Sequence, residues 1–333
     1  MNPTQGHPRI RLGVRPTPLH QTVRLRGDGS LLLKRDDLTG FGLAGNKARP
    51  LEFLIADALA RGCDVVVTGG APTSNFAGAC AHASFVAGLD CEVLLASGPA
   101  SQVPVQLARA CGASIHSVDC DRSVIDNAIK ERSAELLSQG RRPYPVPRGG
   151  ATAIGALGFA DAAFELRSQL IDLAIDPNRA TIVLPVGSGA SLAGFMAGSA
   201  AMGLNWRVVG VSVSRAAAEI ATQVMELSAA CSELMAKIPA APGEFTLVDR
   251  SGNSGAHEGD SLQSRLLLET EGILLDPHYG VPTFVAAMEL RATSLEPVVL
   301  WQTGGLPAAI ELLSANDLVP ISGERRGGDD WRT

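Results

Sequence analysis

Apolar positions along this chain fall into two kinds of segment. The first kind is short: residues 64–68, 91–95, 181–186 and 207–213 are rich in Val, Ile and Leu and closed by Gly, Pro or polar residues, and the more polar 114–118 reads as a further strand. Continuous apolar runs of this length, without alternation, predict strands buried on both faces. The second kind is longer and rich in Ala, Gly and Leu, and it predicts helices over 74–86, 103–111, 159–170 and 191–202, with Ser74 or Asn75 able to cap the first of them. Strand and helix alternate with short Gly-rich joints, which predicts a parallel sheet wound with helices. The pattern loses regularity over 214–259, and 323–333, charged and without period, reads as a disordered tail.

Composition agrees with a folded globule. Hydrophobic residues make up 46% of the 333 and charged residues 19%, enough apolar material for a real core. Aromatics are only 4%, so small side chains must let helices and sheet approach closely. A net charge of -6, spread without acidic or basic blocks, offers no footprint for nucleic acid or an anionic membrane. The expected partners are small molecules and a second copy of the chain. No apolar run reaches membrane-spanning length and the first residues contain no apolar core of a signal peptide, so a cytoplasmic location is expected. The six cysteines match no metal-pair spacing and read as free, mostly buried thiols; no metal site is expected.

Four constellations carry chemistry. In Gly45-Asn46-Lys47 a lysine stands at a turn into an apolar helix; a rigidly placed lysine whose burial lowers its pKa is a candidate Schiff-base nucleophile, although a solvated lysine at a helix start looks the same. Gly69-Gly70-Ala71-Pro72-Thr73-Ser74-Asn75 joins a strand to a small-residue helix, where free N–H groups and the helix dipole could seat a carboxylate. Ordinary capping needs no ligand. Pro185-Val186-Gly187-Ser188-Gly189-Ala190-Ser191 again runs from strand to helix and could cradle a single phosphate, but it is neither a Walker loop nor a full dinucleotide fingerprint. Tyr279, after an apolar strand at Leu274-Leu275, and Thr303, at the end of another, occupy positions where open α/β sheets present ligand-binding groups.

Taken in order, these runs and Thr17-Pro18-Leu19, Lys34-Arg35-Asp36-Asp37, Gly149-Gly150, Gly155-Ala156-Leu157-Gly158-Phe159, Glu271-Gly272, Leu275-Asp276-Pro277 and Thr303-Gly304-Gly305 resemble the 1-aminocyclopropane-1-carboxylate (ACC) deaminase and D-cysteine desulfhydrase family of pyridoxal 5'-phosphate (PLP) enzymes. The resemblance covers most of the chain. It implies an α/β fold of two open twisted, mostly parallel sheets wound with helices, the tryptophan synthase β-like fold type II. It divides the chain into a large PLP-binding domain, 1–53 plus 162–333, and a small domain, 54–161, and implies a homodimer. Lys47 is implied as the lysine that holds the cofactor and moves the Cα proton. Asn75 is similar to the residue at the cofactor's ring hydroxyl, and Ser74 to the one beside the substrate carboxylate. Gly187, Ser188, Gly189, Ala190 and Ser191 would hold the phosphate, Tyr279 would lie over the substrate, and Thr303 would face the pyridine nitrogen.

A hydroxyl at the ring nitrogen leaves it largely neutral, which suits loss of a β-substituent coupled to removal of the Cα proton. The expected activity is β-elimination from a small amino acid, giving ammonia and a 2-oxo acid, with β-replacement or ACC deamination as alternatives. Three departures bear on the substrate. Phe76-Ala77-Gly78 follows Ser74-Asn75 where the family usually has a polar residue and an arginine. Asn253 and Gly280 stand where the ACC branch has a tyrosine and a glutamate. A less polar pocket beside Phe76 is expected, and ACC is not the expected substrate.

Overall fold

In a computed structural model, residues 2–25, 27, 29–98, 102–236, 244–251 and 258–315 are described. The first half of the chain carries β1 (Leu19–Gln21), β2 (Leu31–Arg35), α1 (Ala48–Ala60), β3 (Val65–Gly70), α2 (Asn75–Val86), β4 (Asp90–Leu95), α3 (Gln102–Ala110), β5 (Ser114–Ser117), α4 (Ile125–Ser138), β6 (Pro143–Val146) and α5 (Ala153–Asp172). The second half carries β7 (Thr181–Val186), α6 (Ala190–Ala201), β8 (Arg207–Ser212), α7 (Ala217–Ala236), β9 (Phe245–Asp249), α8 (Glu258–Glu271), α9 (Gly280–Thr293), β10 (Val298–Gln302) and α10 (Leu306–Ala315). No helix among the described residues is long and apolar enough to cross a membrane.

The strands form two sheets. The smaller is wholly parallel, in the order β5-β4-β3-β6. The larger runs β1-β2-β10-β7-β8-β9 and is parallel except where β1 pairs antiparallel with β2. Every residue of β3 and of β7 is buried, because helices cover both faces of each sheet, and this is why their sequences are continuous apolar runs. One core lies under α5 and α6 around Phe159, Phe195 and Trp301, and another on the opposite face of the same sheet around Leu33, Val209 and Phe284. A third joins α1 and α2 to β3 through Leu51, Ile55, Val66 and Phe76.

Two expectations need correction. The helix expected over 159–170 begins at Ala153, where the Thr152 hydroxyl accepts the Gly155 N–H at 3.0 Å. Gly155 and Gly158 lie inside this helix, at positions where neighbouring backbone leaves no room for a side chain: a Cβ on Gly158 would overlap the Arg49 carbonyl, and one on Gly155 the Gly150 carbonyl oxygen. Leu274-Leu275 is not a strand. It is a segment without regular secondary structure, outside either sheet, and the Leu274 carbonyl accepts a hydrogen bond from the Gln302 side chain at 2.7 Å instead of a ladder partner. The tail expected over 323–333 lies outside the described residues, as does Asn253.

Candidate active site

Most of the connections that matter leave the carboxyl ends of parallel strands, where an open sheet presents ligand-binding groups; Asp276 and Tyr279 come instead from the link between α8 and α9. Together these segments wall one cavity. Lys47, Ser74, Asn75, Phe76, Gly187, Ser188, Gly189, Ser191, Tyr279 and Thr303 all line it. Ala190 is the exception among the residues expected there: it is buried at the first position of α6, behind the loop.

Lys47 closes a single 3-10 turn, Gly45–Lys47, that feeds α1. This turn is fixed against the end of β10, since the Asn46 N–H donates to the Thr303 carbonyl at 2.8 Å. Gly45 has φ +53 and a Cβ there would overlap the same carbonyl, so only glycine allows lysine turn and strand end to meet. Burial pushes the Lys47 ammonium down to about 8, against the opposing pull of Asp276 and Asp36. Asp276 is buried, and its carboxylate accepts the N–H groups of His278, Tyr279 and Gly280 at 3.1, 2.7 and 2.9 Å. Burial outweighs these bonds and the nearby Lys47, and the carboxyl is raised to about 6. Gly305 packs so tightly on Asp276 that a Cβ would lie 2.6 Å from its carboxyl carbon.

Lys34 offers an instructive contrast. Burial pushes it, too, down to about 8. Its ammonium, however, donates to the Thr17 carbonyl and to Gln169, each at 2.7 Å, and is ion-paired with Glu165. It is fully buried and does not reach the cavity. Of the two depressed lysines only Lys47 is available to a ligand.

Another part of the cavity lining is anion-friendly. Gly187, Ser188 and Gly189 link β7 to α6, and the first N–H groups of a helix have no intrahelical partner. Gly189 has φ +88, which turns the chain into the helix. Ser188 lies against Gly149, where an added Cβ would come within 2.5 Å of its hydroxyl oxygen. The chain therefore supplies hydroxyls and free amides in the form a phosphate needs, in the same cavity as a lysine able to bind an aldehyde. The residues present fit PLP.

Ser74 caps α2, its hydroxyl oxygen accepting the Ala77 N–H at 3.3 Å, so its own hydrogen is left for another acceptor. Tyr279 stands beside Gly187, where a Cβ would lie 3.1 Å from the phenol oxygen, and burial followed by Asp276 raises the phenol so that it stays protonated. Phe76 is 3% exposed and wedged against Gly150. Gly280 is buried against Asp276 and Leu275 at the start of α9, and it puts no acid into the cavity.

Sequence reasoning missed part of this wall. Asp276 was visible only as part of a motif, and Arg122, Arg148 and Arg215 not at all. The three arginines also line the cavity, which is more polar than Phe76-Ala77-Gly78 leads one to expect. Arg122 and Arg215 stand in loops and Arg148 opens a short 3-10 turn at Gly149-Gly150; only the fold brings them together.

A family model described as "Pyridoxal-phosphate dependent enzyme" matches residues 10–304. A putative 1-aminocyclopropane-1-carboxylate deaminase of Pyrococcus abyssi is 35% identical over 311 residues, covering 90% of this chain and 92% of its own. A D-cysteine desulfhydrase of Klebsiella pneumoniae is 33% identical over 321 residues, covering 90% and 95%. The crystal structure of an ACC deaminase homologue superposes with a TM-score of 0.85 at 30% identity, over 94% of this chain and 98% of that one.

Proposed function

This chain belongs to the pyridoxal-phosphate dependent enzymes, and on that premise we propose that it is a lyase that eliminates a β-substituent from a small amino acid, releasing ammonia and a 2-oxo acid. One observation carries the reading: a lysine with a depressed pKa and a Gly-Ser turn at a helix N-terminus share the same cavity. The relatives named D-cysteine desulfhydrase and ACC deaminase support it.

When bound, PLP supplies an electron-withdrawing ring to the substrate amine. Lys47 would hold the cofactor through Nζ and would be the group that accepts the Cα proton; an ammonium of pKa about 8 gives up a proton near neutral pH far more readily than a surface lysine. Gly187, Ser188, Gly189, Ala190 and Ser191 would hold the phosphate and Asn75 the ring hydroxyl. Ser74, with the start of α2, would receive the substrate carboxylate. Tyr279, kept protonated, would donate a proton or hydrogen bond above the substrate. Phe76 would bound the apolar side. Thr303 would meet the ring nitrogen as a hydroxyl, which favours substrates with a good leaving group. The Cα–H bond breaks with its proton passing to Lys47, and the Cβ bond breaks with its electron pair leaving on the substituent. The 2-aminoacrylate released hydrolyses to ammonia and pyruvate.

The division into 1–53 plus 162–333 and 54–161 is part of this reading, supported by the smaller sheet's strands all falling within 65–146. So is a cytoplasmic homodimer, supported by six free cysteines and by exposed Leu38, Leu43, Phe85 and Val86.

The test is to supply holoenzyme with D-cysteine, β-chloroalanine, O-acetylserine and ACC and to measure ammonia and keto acid. Pyruvate from the β-substituted substrates and nothing from ACC is expected. Steady 2-oxobutyrate from ACC would overturn the substrate reading; keto acid absent until a thiol is added would point to replacement.

A further inference from the structure

Arg122, Arg148 and Arg215 come from three separate loops, after β5, after β6 and after β8, and so from both sheets. All three are half-buried and line the same cavity as Lys47 and Tyr279. Their partners leave charge to spare. Arg122 donates to the Ser214 carbonyl at 3.0 Å, and Arg215 to the Gln223 side chain at 2.9 Å and the Gly187 carbonyl at 3.3 Å. Arg148 meets Asp126 only at 3.9 Å, while its backbone N–H donates to that carboxylate at 2.8 Å. Among the described residues this is the single carboxylate within ion-pair distance of the three guanidinium groups. Burial, then Arg148 and Arg122, depress the Arg215 guanidinium, and the opposing pull of Glu219 and Asp126 does not cancel them, so the arginines repel one another. Three half-buried like charges on one wall are unfavourable unless a ligand balances them.

On the roles proposed above, the cofactor phosphate is assigned to the start of α6 and the α-carboxylate to the start of α2, which leaves the three arginines without an assigned anion. Guanidinium groups bind oxyanions through paired, planar donors. We propose, on the elimination reading given above, that the preferred substrate is a three-carbon amino acid whose β-substituent is itself an oxyanion of the phosphate or sulfonate class, held by Arg122, Arg148 and Arg215. The arginines stabilise the leaving group as it takes the Cβ bonding pair; for a phosphate ester the Cβ–O bond breaks, phosphate departs, and the Cα proton goes to Lys47.

The experiment compares kcat/KM of holoenzyme for O-phosphoserine and β-chloroalanine, each as both enantiomers, in the parent and in Arg122→Gln and Arg148→Gln. The parent is expected to prefer the phosphate ester, and each substitution to lower the ratio of the two values by about tenfold, as for loss of a charge-assisted hydrogen bond, with the change mainly in KM. An unchanged ratio overturns the proposal, as does an equal loss for both substrates, which would assign the arginines to the α-carboxylate. A tenfold weaker PLP dissociation constant with an unchanged ratio would assign them to the cofactor and equally overturn it. A readout that needs no variant is calorimetric binding of 2-amino-3-phosphonopropanoate, whose C–P bond keeps the anion in place, to the parent holoenzyme. It is expected to bind at least about tenfold more tightly than alanine, and equal affinity would overturn the proposal. If β-chloroalanine is not turned over by the parent, the elimination reading itself fails, whereas the phosphonate still reports on the arginine wall.

Discussion

At the scale of single residues, the cavity trades stability for chemistry. The Lys47 ammonium has an ordinary value of 10.5 and is pushed down to about 8. Between those two pH values the unfolded chain holds a proton that the folded apoprotein does not, so stability rises with pH across that window. Below about pH 8 both states carry the proton and the burial cost is fully felt. Lys47→Met should therefore stabilise the apoprotein at pH 7, by about 1 to 3 kcal/mol after discounting for partial exposure, with the gap closing towards pH 10; denaturant unfolding at both pH values measures it. A parent apoprotein more stable than Lys47→Met at pH 7, or a gap independent of pH, would contradict this. The residues most legible in the sequence, Lys47, Ser74, Asn75, Ser188, Tyr279 and Thr303, each lie in a motif of Gly, Ser, Asn or Pro beside an apolar run. Arg122, Arg148 and Arg215 stand far apart in the chain, and nothing local marks them as one wall; Asp276 packs against Gly305, a residue distant in sequence.

At the scale of elements, strands and helices alike fall within about two residues of the expected bounds, except for the start of α5 and the strand expected at Leu274-Leu275. The run 181–186 matches β7 to the residue, since a strand covered on both faces has to be apolar throughout. The start of α5 was missed because glycine carries two opposite messages, joint and close contact. Here it is contact. A Cβ on Gly194 of α6 would overlap the Ala156 carbonyl oxygen of α5, and one on Gly198 would lie 2.5 Å from the Ala160 carbonyl oxygen. These helices meet backbone to backbone, which suits a chain with so few aromatics. Gly194→Ala should force them apart and lower stability by about 1 to 3 kcal/mol, the range for overpacking, even though alanine is the better helix former. Thermal unfolding of the purified variant checks it; an unchanged or raised midpoint would show that the crossing has room.

At the scale of the whole molecule, the larger sheet and the helices over it are tied by a buried ionic network. Arg49 of α1 donates to Asp36 at 2.6 and 2.7 Å and to Glu165 of α5 at 2.9 and 3.1 Å, and the Trp301 indole of β10 donates to Asp36 at 2.8 Å. Arg49 and Lys34 hold the Glu165 carboxyl well below the usual range. This network occupies Lys34 and leaves Lys47, on the turn before Arg49, facing the cavity. Two lysines share one depressed pKa, and topology alone decides which meets the ligand. The most direct test is to reconstitute the protein with PLP, trap the lysine-bound cofactor by borohydride reduction and map the modified peptide by mass spectrometry. The cofactor is expected on Lys47 alone, with loss of the visible band at roughly 410–430 nm that a PLP-lysine imine carries; a label on Lys34, Lys130 or Lys237, or a band that persists after reduction, would contradict the account.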